Sequence, residues 1–181
     1  MIHGILLLDK PKNITSNRAL SIVKRKLSVK KAGIVGILDP LASGMLPIVL
    51  NEGTKLAKYI EPYEKEYQAV AKLGLISTTG DGEGVITKTE KGNPFKLTDI
   101  FIKNVLKDSI GKQKQTPPMY SGLKVNGVKL YDLARKGISI ERKSREINII
   151  DIKLISYKED ELCLNIICSK GTYIRTLIET I

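Results

Sequence analysis

The chain has few of the residues from which metal and disulfide sites are built. It has one histidine, His3, two cysteines, Cys163 and Cys168, and no tryptophan. The cysteines are separated by an odd spacing within one predicted strand, so they point to opposite faces and cannot easily pair. A zinc site needs more His and Cys ligands at suitable spacing. We therefore expect two reduced cysteines and no metal.

Long hydrophobic runs and nucleotide-binding loops are missing too. No apolar stretch approaches the roughly 18 residues of a membrane span. The N-terminal MIHGILLLDKP has neither a basic leader nor a small-residue cleavage site, so we interpret it as a strand and expect a cytoplasmic protein. The chain contains no GxGxxG or GxxxxGK[ST] motif, and we expect no nucleotide cofactor and no membrane partner.

Positive charge is in clear excess. Lys and Arg number 30 against 19 Asp and Glu, which gives a net charge of +11. One cluster falls within residues 18–31 without an acid among them, and a second falls within 124–145. Such clusters attract a phosphate backbone, although a lysine-rich solvated surface would look the same. The members of the first cluster are Arg18, Lys24, Arg25, Lys26, Lys30 and Lys31.

Apolar periodicity predicts helices and strands in mixed order. The predicted strands cover 5–8, 66–73, 85–89, 147–157 and 162–169. The first predicted helix begins after an N-cap at Thr15 or Ser16. Further helices are predicted near 54–60, 97–110, 129–136 and 173–180. A polar connection is predicted over 91–96. Because no βαβ rhythm is present, the class is α+β, in one domain over 1–181.

The segment GILDPLASGMLP at 36–47 places one carboxylate, Asp39, in a stiff and mostly apolar loop. Pro40 restricts its own φ and disfavours helix at Asp39, while Gly36 and Gly44 permit turns that a β-carbon would forbid. Leu38, Leu41, Met45 and Leu46 are expected to surround the acid. A carboxylate held in such surroundings is a candidate nucleophile or base, whereas a bare Asp-Pro would be only a turn.

Together with five further segments in order, this loop resembles the TruB-type tRNA pseudouridine synthases, which isomerise uridine 55 in the TΨC loop. The further segments are GILLLDKP at 4–11 with TSN at 15–17, KEYQAVAKLG at 65–74, TTGDGEG at 78–84, QTPPMYSGLKVNGVKLYDLARKG at 115–137 and CSKGTYIRTL at 168–177. The resemblance implies a pseudouridine-synthase fold with a mixed, mostly antiparallel sheet and flanking helices. It also implies a cofactor-free enzyme acting on tRNA, and we expect a monomer.

The resemblance assigns roles to individual residues. Asp39 corresponds to the essential carboxylate, which could add to C1′, add to C6 or remove the 2′ proton. Burial alone would raise its pKa, and Arg175 matches the family arginine that keeps it ionised. Tyr67 matches the tyrosine that stacks on the flipped base, and Tyr173 a further substrate contact. The candidate RNA-binding residues are Lys10, Lys24, Arg25, Lys26, Lys30, Lys31 and Lys124.

Two departures from the family pattern bear on function. Ile34 occupies the position of a family histidine that fills the gap left by the flipped nucleotide. The chain also ends where family members continue, so we expect an incomplete catalytic domain without the PUA domain and with apolar surface exposed near Leu177 and Ile181. The alternatives to a tRNA pseudouridine synthase are a non-catalytic tRNA-binding or RNA-folding protein and, less well supported, a ribosome-associated structural protein.

Overall fold

The structure is a computed structural model that describes residues 2–61, 63–89 and 97–181. These residues form two compact units, a first unit within 1–63 and a second unit within 64–181. Each unit has its own antiparallel sheet and its own apolar cluster. The polar connection predicted over 91–96 lies outside the described residues.

The first unit is a small sheet covered by one helix. Its elements are β1 (Gly4–Lys10), α1 (Ser16–Lys26), β2 (Ala32–Ile34), β3 (Gly44–Leu50), a 3-10 helix (Asn51–Leu56) and α2 (Ala57–Ile60). The strand order is β1–β3–β2. Thr15 is the N-cap of α1, because its hydroxyl accepts a hydrogen bond from Arg18 N at 3.1 Å. The core consists of Val23, Val29, Ile48 and Leu50.

Two features of the first unit differ from the sequence prediction. β3, the central strand, was not predicted, because its segment contains Pro47 and proline is unusual inside a sheet. The strand still forms, and the carbonyl of Pro47 accepts a hydrogen bond from Val35 N at 3.0 Å. The helix predicted over 54–60 is a 3-10 helix followed by the single turn of α2, and Leu56, expected on the buried face, is 44% exposed.

The second unit is larger and begins directly after the first. Its elements are β4 (Lys65–Lys72), β5 (Leu75–Ser77), β6 (Ile86–Lys88), α3 (Asp99–Asp108), β7 (Gly111–Gln115), β8 (Lys124–Val125), β9 (Val128–Lys129), α4 (Leu130–Ala134), β10 (Arg145–Lys158), β11 (Glu161–Cys168) and α5 (Ile174–Thr180). The main sheet has the order β4–β11–β10–β7, and all its strand pairs are antiparallel. β10 and β11 form the long hairpin that the sequence predicted.

The core of the second unit lies between this sheet and its helices. Ile149, Leu164 and Ile166 are completely buried on the sheet, and α3 contributes Ile102 and Leu106. The alternation predicted for β4 is confirmed, since its even-numbered positions are exposed and its odd-numbered positions are at least partly buried.

The expectation of exposed apolar surface at the end of the chain is wrong. Leu177 in α5 is only 1% exposed, and Ile181 is half-buried. Both pack against the apolar cluster of the second unit. The sheet therefore covers these side chains within the described chain.

Two short hairpins project from the second unit. β5 and β6 flank the glycine-rich turn at 78–84, and β8 and β9 are joined by Asn126 and Gly127. Asn126 has a φ of 50° and Gly127 a φ of 82°, the left-handed conformations that an Asn-Gly hairpin requires. Gly137 follows α4 with a φ of 71°, as expected for a helix C-terminus.

Helices and antiparallel strands are thus mixed in both units, and the predicted α+β class is confirmed. Within the three described ranges, no helix is long and apolar enough to cross a membrane. Cys163 is half-buried and Cys168 buried, and both are free thiols, as predicted. Burial raises the pKa of the Cys168 thiol.

Candidate active site

Asp39 lies in the irregular loop between β2 and β3 of the first unit. Gly36 has a φ of 82° and Gly44 a φ of 121°, so both adopt the left-handed conformations that the sequence predicted for them. A turn follows the acid, in which Ala42 N donates to Asp39 O at 3.1 Å. Asp39 itself is half-buried. The glycine conformations and this turn define the course of the loop around it.

The side chain of Lys10 is buried and forms a hydrogen bond with this loop. Its side chain is completely buried, and Nζ donates to Pro11 O at 2.9 Å, Ile14 O at 2.8 Å and Pro40 O at 3.3 Å. Lys10, a predicted RNA contact, is thus enclosed in the first unit. The buried ammonium is satisfied by main-chain carbonyls, one of which belongs to the residue after Asp39.

The apolar surroundings expected for Asp39 are present in part. Leu46 is buried, and Leu38 and Leu41 are half-buried. Met45 is 67% exposed on β3, so it does not bury the loop as expected. Ile34, at the family's histidine position, lies in β2 opposite Ile48 and is half-buried.

The basic residues named as RNA-binding candidates are mostly exposed. In the first unit, Arg25, Lys26, Lys30 and Lys31 are exposed and Lys24 is half-buried. In the second unit, Lys124 is exposed at the start of β8. Their exposure leaves these charges available to a polyanion, whereas the charge of Lys10 is buried.

Arg175 lies in the first turn of α5, where its guanidinium joins two loops of the second unit. Nη1 donates to Thr79 O at 2.6 Å, and Nη2 donates to Tyr120 O at 2.9 Å. Nε lies 3.7 Å from Asp81 Oδ2. One side chain thus binds two of the family-like motifs, the glycine-rich turn and the PPMY segment.

Asp81 was not recognised as a site residue from the sequence. Its Oδ1 accepts from Thr79 Oγ1 at 2.6 Å and from Glu83 N at 3.0 Å. Its carboxylate is therefore fixed by hydrogen bonds within the turn and also lies beside the Arg175 guanidinium. Only its place in the DG turn of TTGDGEG hinted at a structural role, and nothing in the sequence indicated Arg175 as its partner.

Tyr173 immediately precedes α5 and is held by a buried amide. Gln115 is only 7% exposed. Its Oε1 accepts from Tyr173 N at 2.8 Å, and its Nε2 donates to Tyr173 O at 3.1 Å. Gln115 was also missed from the sequence, because a glutamine at a strand end gives no sign of a partner 58 residues away.

Tyr67 lies on β4, opposite Ile166 of β11. It is half-buried and packs against the apolar cluster of the second unit. The structure thus places Tyr173 and Arg175 together at the start of α5 and Tyr67 on the main sheet of the same unit. Asp39 lies in the first unit with its Lys10 support.

A cavity of about 360 Å³ opens beside Arg175 in the second unit. Its lining residues include Thr79, Tyr120, Arg142, Arg175 and Thr176. Arg142 Nε and Thr176 Oγ1 are buried and have no hydrogen-bond partner among the described residues. In the same ranges, no group of three or more His, Cys, Asp or Glu side chains is arranged to hold a metal ion.

The sequence matches a known family over most of its length. The family model described as TruB family pseudouridylate synthase (N terminal domain) matches residues 24–174. The tRNA pseudouridine synthase B of Nitrosococcus oceani is 48% identical over 180 residues, which is 99% of this chain and 58% of that protein. The tRNA pseudouridine synthase B of Buchnera aphidicola is 47% identical over 178 residues, 98% of this chain and 56% of that protein. The chain therefore spans just over half the length of these relatives.

The fold is also similar to a solved structure. A chain in the crystal structure of a Cbf5-Nop10-Gar1 complex has a TM-score of 0.71 and 25% sequence identity to this chain. The match covers 98% of this chain and 43% of that one.

Proposed function

We propose that this chain, which belongs to the TruB family of pseudouridylate synthases, isomerises uridine to pseudouridine at position 55 in the TΨC loop of tRNA. The observation that carries the proposal is the family match over residues 24–174. The identity of 48% to a tRNA pseudouridine synthase B supports it.

The proposed reaction rearranges bonds within one nucleotide. The glycosidic bond between C1′ and N1 breaks, the uracil turns, and a new bond forms between C1′ and C5. The C5 proton leaves and N1 gains a proton, so no electrons are transferred to or from another molecule. Such a reaction needs a carboxylate, a closed pocket and a proton acceptor, all of which side chains can supply.

We assign the carboxylate role to Asp39. The loop that carries Asp39 is restrained by Pro40 and by the hydrogen bond from Lys10 to Pro40 O, while Gly36 and Gly44 permit its left-handed turns. Restraint of this kind favours catalysis, because a reacting group that is held in place loses less entropy when it attacks. A protein that only binds RNA would not need an acid restrained in this way.

Three residues of the second unit are proposed to support the reaction. We assign Arg175 to charge stabilisation, since a guanidinium stays protonated and can bind carboxylates through two N–H groups. We assign Tyr67 to stacking on the uracil and Tyr173 to a further substrate contact. The hydrogen bonds of Gln115 to Tyr173 and of Arg175 to Thr79 and Tyr120 favour fixed positions for these groups.

Basic residues that are exposed or half-buried are proposed to bind the phosphate backbone of tRNA. Unstacking a uridine costs a few kcal/mol, least in a loop, and phosphate contacts offset part of this cost. The residues assigned to this role are Lys24, Arg25, Lys26, Lys30, Lys31 and Lys124.

The test is direct chemical mapping. Unmodified tRNA transcript is incubated with the chain, and pseudouridine is located by carbodiimide modification and primer extension. We expect a single new stop that reports pseudouridine at position 55, which disappears with Asp39→Ala while tRNA binding remains. A transcript with cytidine at position 55 is the matched substrate control.

Two results would contradict the proposal. Turnover by Asp39→Ala close to wild type would exclude Asp39 as the essential carboxylate. Tight tRNA binding by the wild-type chain without any pseudouridine would favour the alternative of a non-catalytic tRNA-binding or RNA-folding protein.

A further inference from the structure

The side-chain hydroxyl of Ser16 forms hydrogen bonds with both main-chain polar groups of Leu38, the residue before Asp39. Ser16 is the first residue of α1, and its side chain is buried, with 3% exposure. Its hydroxyl donates to Leu38 O at 2.9 Å and accepts from Leu38 N at 3.0 Å. One hydroxyl thus joins α1 to a loop residue 22 positions away.

The helix does not need this hydroxyl for its own start. Thr15 is the N-cap, and its side chain accepts from Arg18 N. Ser21, in the same helix, donates to Asn17 O at 2.9 Å, which is the usual local bond of a helical serine. Ser16 differs from both because its bonds are made to another segment.

These two bonds fix the peptide groups on both sides of Leu38. Leu38 N belongs to the peptide that follows Ile37, and Leu38 O belongs to the planar peptide that includes Asp39 N. On the other side of the acid, Pro40 O accepts from Asn13 N at 2.8 Å. The main chain of Asp39 is therefore held both before and after the residue.

We infer that Ser16 is a positioning residue for the Asp39 carboxylate. This inference rests on the proposed function, in which Asp39 is the reacting group. A displacement of a reacting group by about 1 Å can slow an enzyme by about 100-fold. Ser16 acts through the peptide of Leu38 and does not itself meet the substrate.

The test compares Ser16→Ala with Ser21→Ala, which removes an exposed hydroxyl from the same helix. We expect the single-turnover rate of Ser16→Ala on tRNA to fall by about 10- to 100-fold. The Kd for tRNA is expected to change by less than about threefold, since the basic residues are untouched. Hydrogen exchange of the Leu38 amide should be faster in Ser16→Ala than in wild type. Ser21→Ala should match wild type in all three measurements.

A folded Ser16→Ala protein with wild-type turnover would overturn the inference, as would an equal loss in Ser21→Ala. If Ser16→Ala does not fold, Ser16→Thr, which retains the hydroxyl, decides the matter. Near-wild-type turnover of Ser16→Thr supports the role of the hydroxyl, and a folded but slow Ser16→Thr contradicts it. Two outcomes separate the inference from the proposed function. If wild type and Ser16→Ala are both active and Asp39→Ala is inactive, only the inference is refuted. If wild type is inactive, the proposed function is refuted as well.

Discussion

At the scale of single residues, the buried ammonium of Lys10 joins three main-chain carbonyls, one of them next to Asp39. Lys10→Met keeps much of the side-chain volume and removes every donor. We expect it to lower the free energy of unfolding by about 2–4 kcal/mol, because buried carbonyls lose their charged partner. Urea denaturation followed by circular dichroism measures this change.

The matched control for Lys10 is Lys12→Met. Lys12 is exposed, so this change should alter stability by less than about 0.5 kcal/mol. Equal stability of the two variants would show that the Lys10 hydrogen bonds contribute little.

Arg175 allows a second prediction at this scale. Lysine preserves the charge but has a single nitrogen, which cannot reach both Thr79 O and Tyr120 O in the geometry of a guanidinium. We expect Arg175→Lys to lower the single-turnover rate by about 10- to 100-fold, since charged hydrogen bonds are lost. Arg145→Lys, at an exposed position on β10, should match wild type. If Lys serves as well as Arg at position 175, the assignment of this guanidinium is wrong.

At the scale of elements, Gln115 joins the end of β7 to the start of α5. Gln115→Leu removes both bonds to Tyr173 and should lower the free energy of unfolding by about 1–3 kcal/mol. Gln115→Glu can still accept from Tyr173 N but cannot donate to Tyr173 O, so an intermediate loss is expected. Hydrogen exchange at the Tyr173 amide should become faster in the order wild type, Glu, Leu. An unchanged exchange rate in Gln115→Leu would contradict the role of this amide.

Elements with a local signal could be predicted, and those that depend on distant partners could not. The N-cap at Thr15 and the hairpin of β10 and β11 follow from short-range patterns. β3 was missed because its segment contains Pro47, which lies opposite Leu7 of β1 in the observed pairing.

The same reason explains what was missed in the candidate site. The family-like motifs directed attention to Asp39, Tyr67, Tyr173 and Arg175, whose roles stay predictions. Lysine is usually exposed, so the burial of Lys10 is not evident from the sequence. The functions of Ser16 and Gln115 depend on partners far along the chain, and no residue pattern near them indicates those partners.

At the scale of the whole molecule, the net charge of +11 should make tRNA binding strongly dependent on salt. Each phosphate contact adds about 0.7–0.9 to the slope of log K against log salt concentration. Reversing Lys24, Arg25 and Lys26 to Glu should therefore flatten the slope by about 2–3. Filter binding over a KCl series measures this slope.

The control variant reverses three exposed lysines of the second unit to Glu. These are Lys103, Lys107 and Lys158. Both triple variants reduce the net charge by six, from +11 to +5, so a difference between them reflects location and not total charge. Because cations in the last turn of α1 also stabilise the helix, the helical content of the first variant is checked by circular dichroism. Equal slopes for the two variants would place the tRNA on another surface.

The burial of Lys10 also has a consequence for chemical reactivity. An amine-reactive ester modifies accessible lysines, but the Lys10 ammonium is completely enclosed and hydrogen-bonded. In the native protein this one side chain should stay unmodified while exposed lysines such as Lys12 and Lys30 are acylated. Acylation of Lys10 would then require its hydrogen bonds to Pro11, Ile14 and Pro40 to break, so the mass shift of one peptide would report how often this part of the first unit opens in solution.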